Sequence, residues 1–159
     1  MCTLQSCALL DSAAGAGFQS KGDAAMDAQD YKAAATFYSM ALEQHRNETS
    51  YYHRGNALAQ LKEYKASITD YTEAIRLNSE DESYWKNRGS SKMYIKDYSG
   101  AVKDYTQALK IRPDDGSIYK WRGIVYEMQG DINKACSDLK KAKKLNAADA
   151  IEIIKEVGC

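Results

Sequence analysis

The chain has 159 residues, of which 44% are hydrophobic, and its 22 basic and 22 acidic side chains give a formal net charge of +0. That length favours one compact unit with a continuous core, and a second domain is not expected. Zero net charge excludes a global field that would draw the chain onto nucleic acid or an anionic membrane, so any partner has to be recognised by a local surface. The four cysteines, Cys2, Cys7, Cys136 and Cys159, show no metal-ligand spacing, and the first two lie where nothing evident would hold a bridge. The expectation is reduced thiols and an intracellular, cytoplasmic address.

Residues 1–14 read as a loose tail. No Lys or Arg precedes Lys21 and the apolar run is short, so the segment lacks the features of a secretory or transit peptide. Leu4-Gln5-Ser6-Cys7 has the outline of a lipoprotein box, but the basic start and apolar stretch that such a signal needs are missing. No stretch approaches the roughly 20 apolar residues of a membrane span.

From there on the chain repeats. Gly55, Gly89 and Gly123 are 34 residues apart, as are Ala74, Ala108 and Ala142, while Gly22, Tyr38 and Ala41 precede their counterparts by 33. Four copies follow, at 15–47, 48–81, 82–115 and 116–149. In each, small residues (Gly22, Gly55, Gly89, Gly123; Ala34, Ser67, Ala101, Ala135) alternate with large ones seven apart (Tyr31/Tyr38, Tyr64/Tyr71, Tyr98/Tyr105, Ile132/Leu139). A seven-residue interval returns to one helix face, so the pattern predicts two antiparallel helices per copy. Asp30, Asp97 and Asp131 stand just before the second helices, where a carboxylate can cap free amides, and Pro113 marks a helix end. In residues 150–159, Ile151, Ile154 and Val157 fall on roughly one side of an expected last helix.

On this 34-residue period, the Gly, Ala, Tyr and Ala columns over 15–149 resemble the tetratricopeptide repeat. The resemblance implies an all-α, right-handed superhelical solenoid of antiparallel helix pairs, closed by a capping helix. It also implies that the first helices line a concave side which receives a peptide or partner helix.

Arg54, Arg88 and Arg122 precede the glycines, and Asp70, Asp104 and Asp138 precede the large residue of the second helix. The first copy lacks both, with Lys21 and Phe37 in their places, and joint absence points to pairing within each copy. These are read as structural bidentate ion pairs, not as a charged site.

No catalytic constellation is visible, and the chain is read as not an enzyme, with no metal and no cofactor. His45 and His53 have no nucleophile or second ligand at a usable spacing, and the glycines stand one per copy instead of forming a phosphate loop. The basic run Lys140, Lys141, Lys143 and Lys144 is read as a solvated helix face, so nucleic acid is not an expected partner. Lys143 occupies a column filled elsewhere by Leu42, Ile75 and Leu109, which predicts looser packing there.

Carried over from the resemblance, the concave face comprises Tyr52, His53, Asn56, Lys86, Asn87, Ser90, Tyr94, Lys120, Trp121, Ile124 and Met128. Amides and hydroxyls suit a peptide backbone, and aromatic rings supply rigid contact area. The partner is therefore expected to be a protein or peptide, not a small-molecule substrate or a membrane, with the chain acting as adaptor or scaffold. A co-chaperone-like carboxylate clamp is the alternative. Asn56 and Asn87 fit its columns, but Tyr52, Ser117 and Trp121 stand where its cations should be, leaving Lys86 and Lys120 for a variant site. Self-association into a structural scaffold is the second alternative.

Overall fold

The computed structural model describes residues 17–147 and 149–159. Every element among them is helical: α1 (residues 17–27), α2 (Tyr31–Gln44), α3 (Glu48–Gln60), α4 (Tyr64–Leu77), α5 (Glu82–Tyr94), α6 (Tyr98–Ile111), α7 (Gly116–Met128), α8 (Ile132–Lys144) and α9 (Ala150–Val157). None is long and apolar enough to cross a membrane. Contacts gather into two compact units, one ending at Ser79 and one beginning at Glu80, where length alone favoured one. The expected loose tail and its Cys2 and Cys7 lie outside the described residues.

Each unit is assembled from helix pairs joined by the same turn. The first helix of a pair ends with a residue in the left-handed region: Gln29 (φ 59), Lys62 (φ 63), Lys96 (φ 64) and Gly130 (φ 80). The following amide reaches back five residues, as in Asp30 N to Ala25 O (2.9 Å) and Asp97 N to Lys92 O (2.9 Å), closing a Schellman motif. That following residue then caps the second helix. Asp30, Asp97 and Asp131 accept from the amides of Ala33, Gly100 and Lys134 at 3.0, 2.9 and 3.2 Å, whereas Glu63 makes no such bond. One residue thus ends one helix and starts the next, which keeps the pair close and antiparallel. Pro113 follows the end of α6, as predicted.

In the first unit, α1 and α2 meet where Gly22 lacks a side chain, and a Cβ there would lie 2.6 Å from the fully buried Tyr38 ring. Gly55 of α3 makes the same gap for Tyr71 of α4, at 2.8 Å. Helices α2 and α3 pack side by side, and Ala25, Ala34, Tyr38 and Ala57 form one buried cluster. In the second unit, Gly89 of α5 faces Tyr105 of α6 at 3.2 Å, and Gly123 of α7 faces Leu139 of α8 at 3.0 Å. Around them Met93, Ala101, Tyr105, Ala108, Leu109, Ile118 and Val125 form the core.

The Arg and Asp columns pair within each copy, as their joint absence from the first indicated. Arg54 Nε and Nη2 donate to Asp70 at 2.8 and 2.7 Å, Arg88 to Asp104 at 2.9 and 2.8 Å, and Arg122 to Asp138 at 2.7 and 2.9 Å. All three carboxylates are buried. Two features were not read from the sequence. Arg54 and Arg122 extend Nη1 to hydroxyls of the preceding helix, Ser39 (3.1 Å) and Thr106 (3.0 Å). Each guanidinium also lies over an aromatic ring three residues earlier, Tyr51, Trp85 or Tyr119, at 5.7, 4.9 and 5.6 Å.

Helix α9 packs on α8 with two of the three residues of the expected stripe, Ile154 and Val157, but not with Ile151. Ala150 is buried and Ile153, Ile154 and Val157 are half-buried, while Ile151 is 52% exposed. Lys143 is exposed, consistent with the looser packing that its column predicted. The expectation of reduced thiols fails for Cys136 and Cys159, which form a disulfide with Cα atoms 5.4 Å apart. Linear spacing could not reveal it, because α9 folds back along α8 and brings residues 23 apart in sequence together. The premise on which a cytoplasmic address rested is thereby removed.

Removing the cation from a buried pair costs about 3–5 kcal/mol when nothing else compensates the carboxylate. Asp70 has Arg54 for its cation, whereas Asp104 also receives Lys92 Nζ at 2.8 Å. Arg54→Ala is therefore expected to cost about 3 kcal/mol and Arg88→Ala about half of that. Urea unfolding checks the order, and equal losses would contradict the compensating role of Lys92.

Candidate functional site

The expected binding residues come from three first helices. Tyr52, His53 and Asn56 are on α3 in the first unit; Lys86, Asn87, Ser90 and Tyr94 are on α5, and Lys120, Trp121, Ile124 and Met128 on α7, in the second. Within the second unit α5 and α7 touch each other.

In the first unit the three residues form a half-buried cluster tied to the core. His53 stacks on Tyr38 with ring centroids 5.5 Å apart and meets Tyr52 edge-on at 5.3 Å. Tyr52 in turn lies 6.1 Å from Tyr71. Burial lowers the pKa of His53 below its ordinary value, against a weaker upward pull from Asp23. The imidazole is accordingly neutral at pH 7 and brings no charge to the surface. Asn56 Oδ1 accepts a 2.8 Å hydrogen bond from the Tyr71 hydroxyl.

Several residues of the second unit also have structural duties. Ser90 Oγ donates to Lys86 O at 3.1 Å and lies 2.9 Å from Tyr105 Oη. With the single Ser90 proton committed, the Tyr105 hydroxyl is the donor of the second bond. Lys86 Nζ stands 3.9 Å from Asp115, and Lys120 Nζ lies over the Trp121 ring at 5.3 Å. Trp121 and Ile124 are half-buried against the core cluster. Tyr94 and Met128 differ: they occupy one column at the ends of α5 and α7 and are 57% and 47% exposed. Ile95, 39% exposed, was not picked out from the sequence, and Ile132, read from its column as a packing residue, is instead 43% exposed. Pattern alone carries no signal for them, since an apolar residue beside a turn reads as core.

The first-helix caps were also missed. Asn47 accepts from Ser50 N (2.8 Å) and Asp81 from Ser83 N (2.9 Å). Asp115 Oδ1 accepts from the Ser117 amide and hydroxyl at 2.8 and 2.6 Å and from Ile118 N at 3.3 Å. Asp/Asn residues 34 apart (Asn47, Asp81, Asp115) were the available signal. The basic run of α8 lies in its last turn, where Lys141, Lys143 and Lys144 complement the helix dipole.

Taken together, these features define the class: an all-α repeat protein of helical hairpins, whose first helices carry polar, aromatic and exposed apolar side chains on a rigid frame. Family comparisons agree, with "Tetratricopeptide repeat" matching residues 49–81 and "TPR repeat" matching residues 89–130. The chain is a tetratricopeptide repeat protein.

Among solved structures it is similar to YrrB, titled a TPR protein with an unusual peptide-binding site (TM-score 0.84, 21% identity, covering 92% of this chain and 77% of that one). It is also similar to MamA from Desulfovibrio magneticus RS-1 (TM-score 0.80, 17% identity, 83% and 75% covered). A third is the first TPR of Spaghetti (RPAP3) bound to the HSP90 peptide SRMEEVD (TM-score 0.73, 19% identity, 75% and 95% covered). At these identities the likeness is one of fold. Among curated proteins no sequence match was found.

Burial alone would raise the Asp115 carboxyl pKa, but the bonds from Ser117 and Ile118 and the charge of Lys86 outweigh it, and the net shift is downward. A carboxyl depressed in the folded state stabilises above its unfolded value, and the benefit disappears as pH falls through the folded one. Asp115→Ala is expected to cost about 1 kcal/mol at neutral pH. Thermal melts should show that gap narrowing below about pH 4. A gap independent of pH would mean that the charged cap is not the cause.

Proposed function

We propose that the chain is a protein-interaction module that binds an extended peptide segment on the α5–α7 face of its second unit, as adaptor or scaffold. The observation that carries this reading is the exposure of Tyr94 and Met128 in one column, two helical turns along from Asn87 on α5 and Trp121 on α7. Large apolar side chains left accessible on a framework with satisfied polar groups are the usual anchors of recognition. Two structural neighbours, one with an unusual peptide-binding site and one bound to a peptide, support the same class of ligand. Tyr52, His53 and Asn56 carry a comparable mixture on α3, without net charge.

A second reading, capture of an acidic carboxyl-terminal tail by Lys86 and Lys120, draws on the neighbour bound to SRMEEVD. It is the weaker one. Lys86 already faces Asp115, and Lys120 lies over Trp121, so neither cation is arranged for a carboxylate.

A phage-displayed random peptide library selected against the whole chain tests the proposal, followed by calorimetry of the enriched peptide. Tyr94→Ala removes an anchor that is 57% exposed and is expected to weaken binding at least about tenfold, or 1.4 kcal/mol, in a variant whose thermal melt shows it folded. Trp121→Ala is less informative, since its ring also packs on the core. No enrichment, or equal affinity of the Tyr94→Ala variant, would sink the reading. SRMEEVD in the same calorimeter separates the two proposals, because only the carboxylate reading expects heat that is lost in Lys120→Ala.

A further inference from the structure

The disulfide between Cys136 and Cys159 stands apart from the proposed binding face and has no part in it. Cys136 lies within the second turn of α8 and Cys159 just beyond the end of α9, so the bond ties the far end of the last helix to the near end of the one beneath it. It does so for a helix that is poorly able to hold itself. α9 has eight residues, well under the ~12–15 at which an isolated helix becomes even marginal in water. Asp149 at its N-cap makes no side-chain capping bond. The chain passes through the left-handed region at Asn146 and Asp149, so the helix of α8 does not continue into α9. The apolar contact is also thin: Ala150 is its one buried residue, Ile153, Ile154 and Val157 are half-buried, and Ile151 faces solvent.

The bond lies at the surface of the fold: Cys136 is half-buried and Cys159 is an exposed residue, the side from which a thiolate in solution would approach. Exposed disulfides are among the labile ones.

We propose that Cys136–Cys159 is a redox latch on the terminal helix, locking α9 onto α8 when oxidised and releasing it when reduced by a dithiol. One thiolate of the dithiol attacks Cys159 Sγ, the S–S bond breaks, and Cys136 leaves as a thiolate that takes up a proton. The second thiol of the dithiol then attacks the mixed disulfide and releases Cys159, which is protonated in turn. Two electrons and two protons have passed to the protein, and the dithiol has become a disulfide. Loss of a cross-link over this span weakens the closed state of α9 by about two orders of magnitude. The strip Ile153, Ile154 and Val157 then becomes accessible, together with the α8 surface beneath it. The hairpins α5–α6 and α7–α8 do not depend on the bond, since each has its own bidentate Arg–Asp pair.

Limited trypsin digestion of the full chain, followed by mass spectrometry with and without dithiothreitol, tests the latch. Cleavage after Lys144 and Lys155, which flank and lie within α9, is expected to accelerate at least about tenfold on reduction, while cleavage after Lys103 and Lys110 in α6 keeps its rate. The double variant Cys136→Ser with Cys159→Ser should be cut at the fast rate in either condition, which excludes Cys2 and Cys7 as the cause. The proposal is overturned if a non-reducing peptide map of the air-oxidised protein shows both thiols free. Unchanged cleavage after complete reduction overturns it too, as does acceleration spread through α6, which would make the bond a general staple of the unit.

Discussion

Each hairpin depends on a missing methyl group. Tyr38, Tyr71 and Tyr105 are fully buried, and their rings occupy the space that a Cβ at Gly22, Gly55 or Gly89 would need. This gap sets how close the two helix axes come, and the Tyr hydroxyls then set the register along them. Each finds a polar partner on the facing first helix, Asp23, Asn56 or Ser90, at 2.7, 2.8 and 2.9 Å. Burial holds the phenols of Tyr38 and Tyr105 well above their ordinary pKa, so both remain neutral donors at physiological pH. A ring with a satisfied hydroxyl gives up none of its burial energy to an unpaired polar atom.

The Arg–Asp pairs are adjacent in sequence to both members of that contact and inherit its register. Residue 54 precedes Gly55 and residue 70 precedes Tyr71, so fixing the glycine against the ring brings guanidinium and carboxylate together in bidentate geometry. A buried ion pair is weak evidence for stability in itself. Its effect here is specificity: a slip of the second helix would strand a buried charge on each side, and the hydroxyls of Ser39 and Thr106 extend the same demand to the preceding helix.

A frame satisfied from within can leave its surface to recognition. The polar residues with structural duties, such as Ser90 on Tyr105 and Lys86 beside Asp115, hold the first helices in place. Tyr94 and Met128 are the most exposed large side chains of that face, so they are where variation could alter partner choice. Helix α9 has the opposite character, with little buried surface and a covalent tie in place of a core.

The sequence by itself determined the repeat, the two-helix unit and the Arg–Asp pairing. Those follow from period and residue size, and a residue of the wrong size at Gly55 or Tyr71 would show as a break in a column. It determined the cast of the candidate face too, through the family resemblance. Only the tertiary structure decided how deeply each of that cast is set: Trp121 and Ile124 lean on the core and Asn56 accepts from Tyr71, while Tyr94 and Met128 are the more exposed. It also decided the grouping of helices into two units, the face that α9 buries and the pairing of Cys136 with Cys159. The reason is physical. Period and residue size act between neighbours on one helix pair and repeat along the chain, but a single contact made where a short helix folds back occurs once, and no column records it.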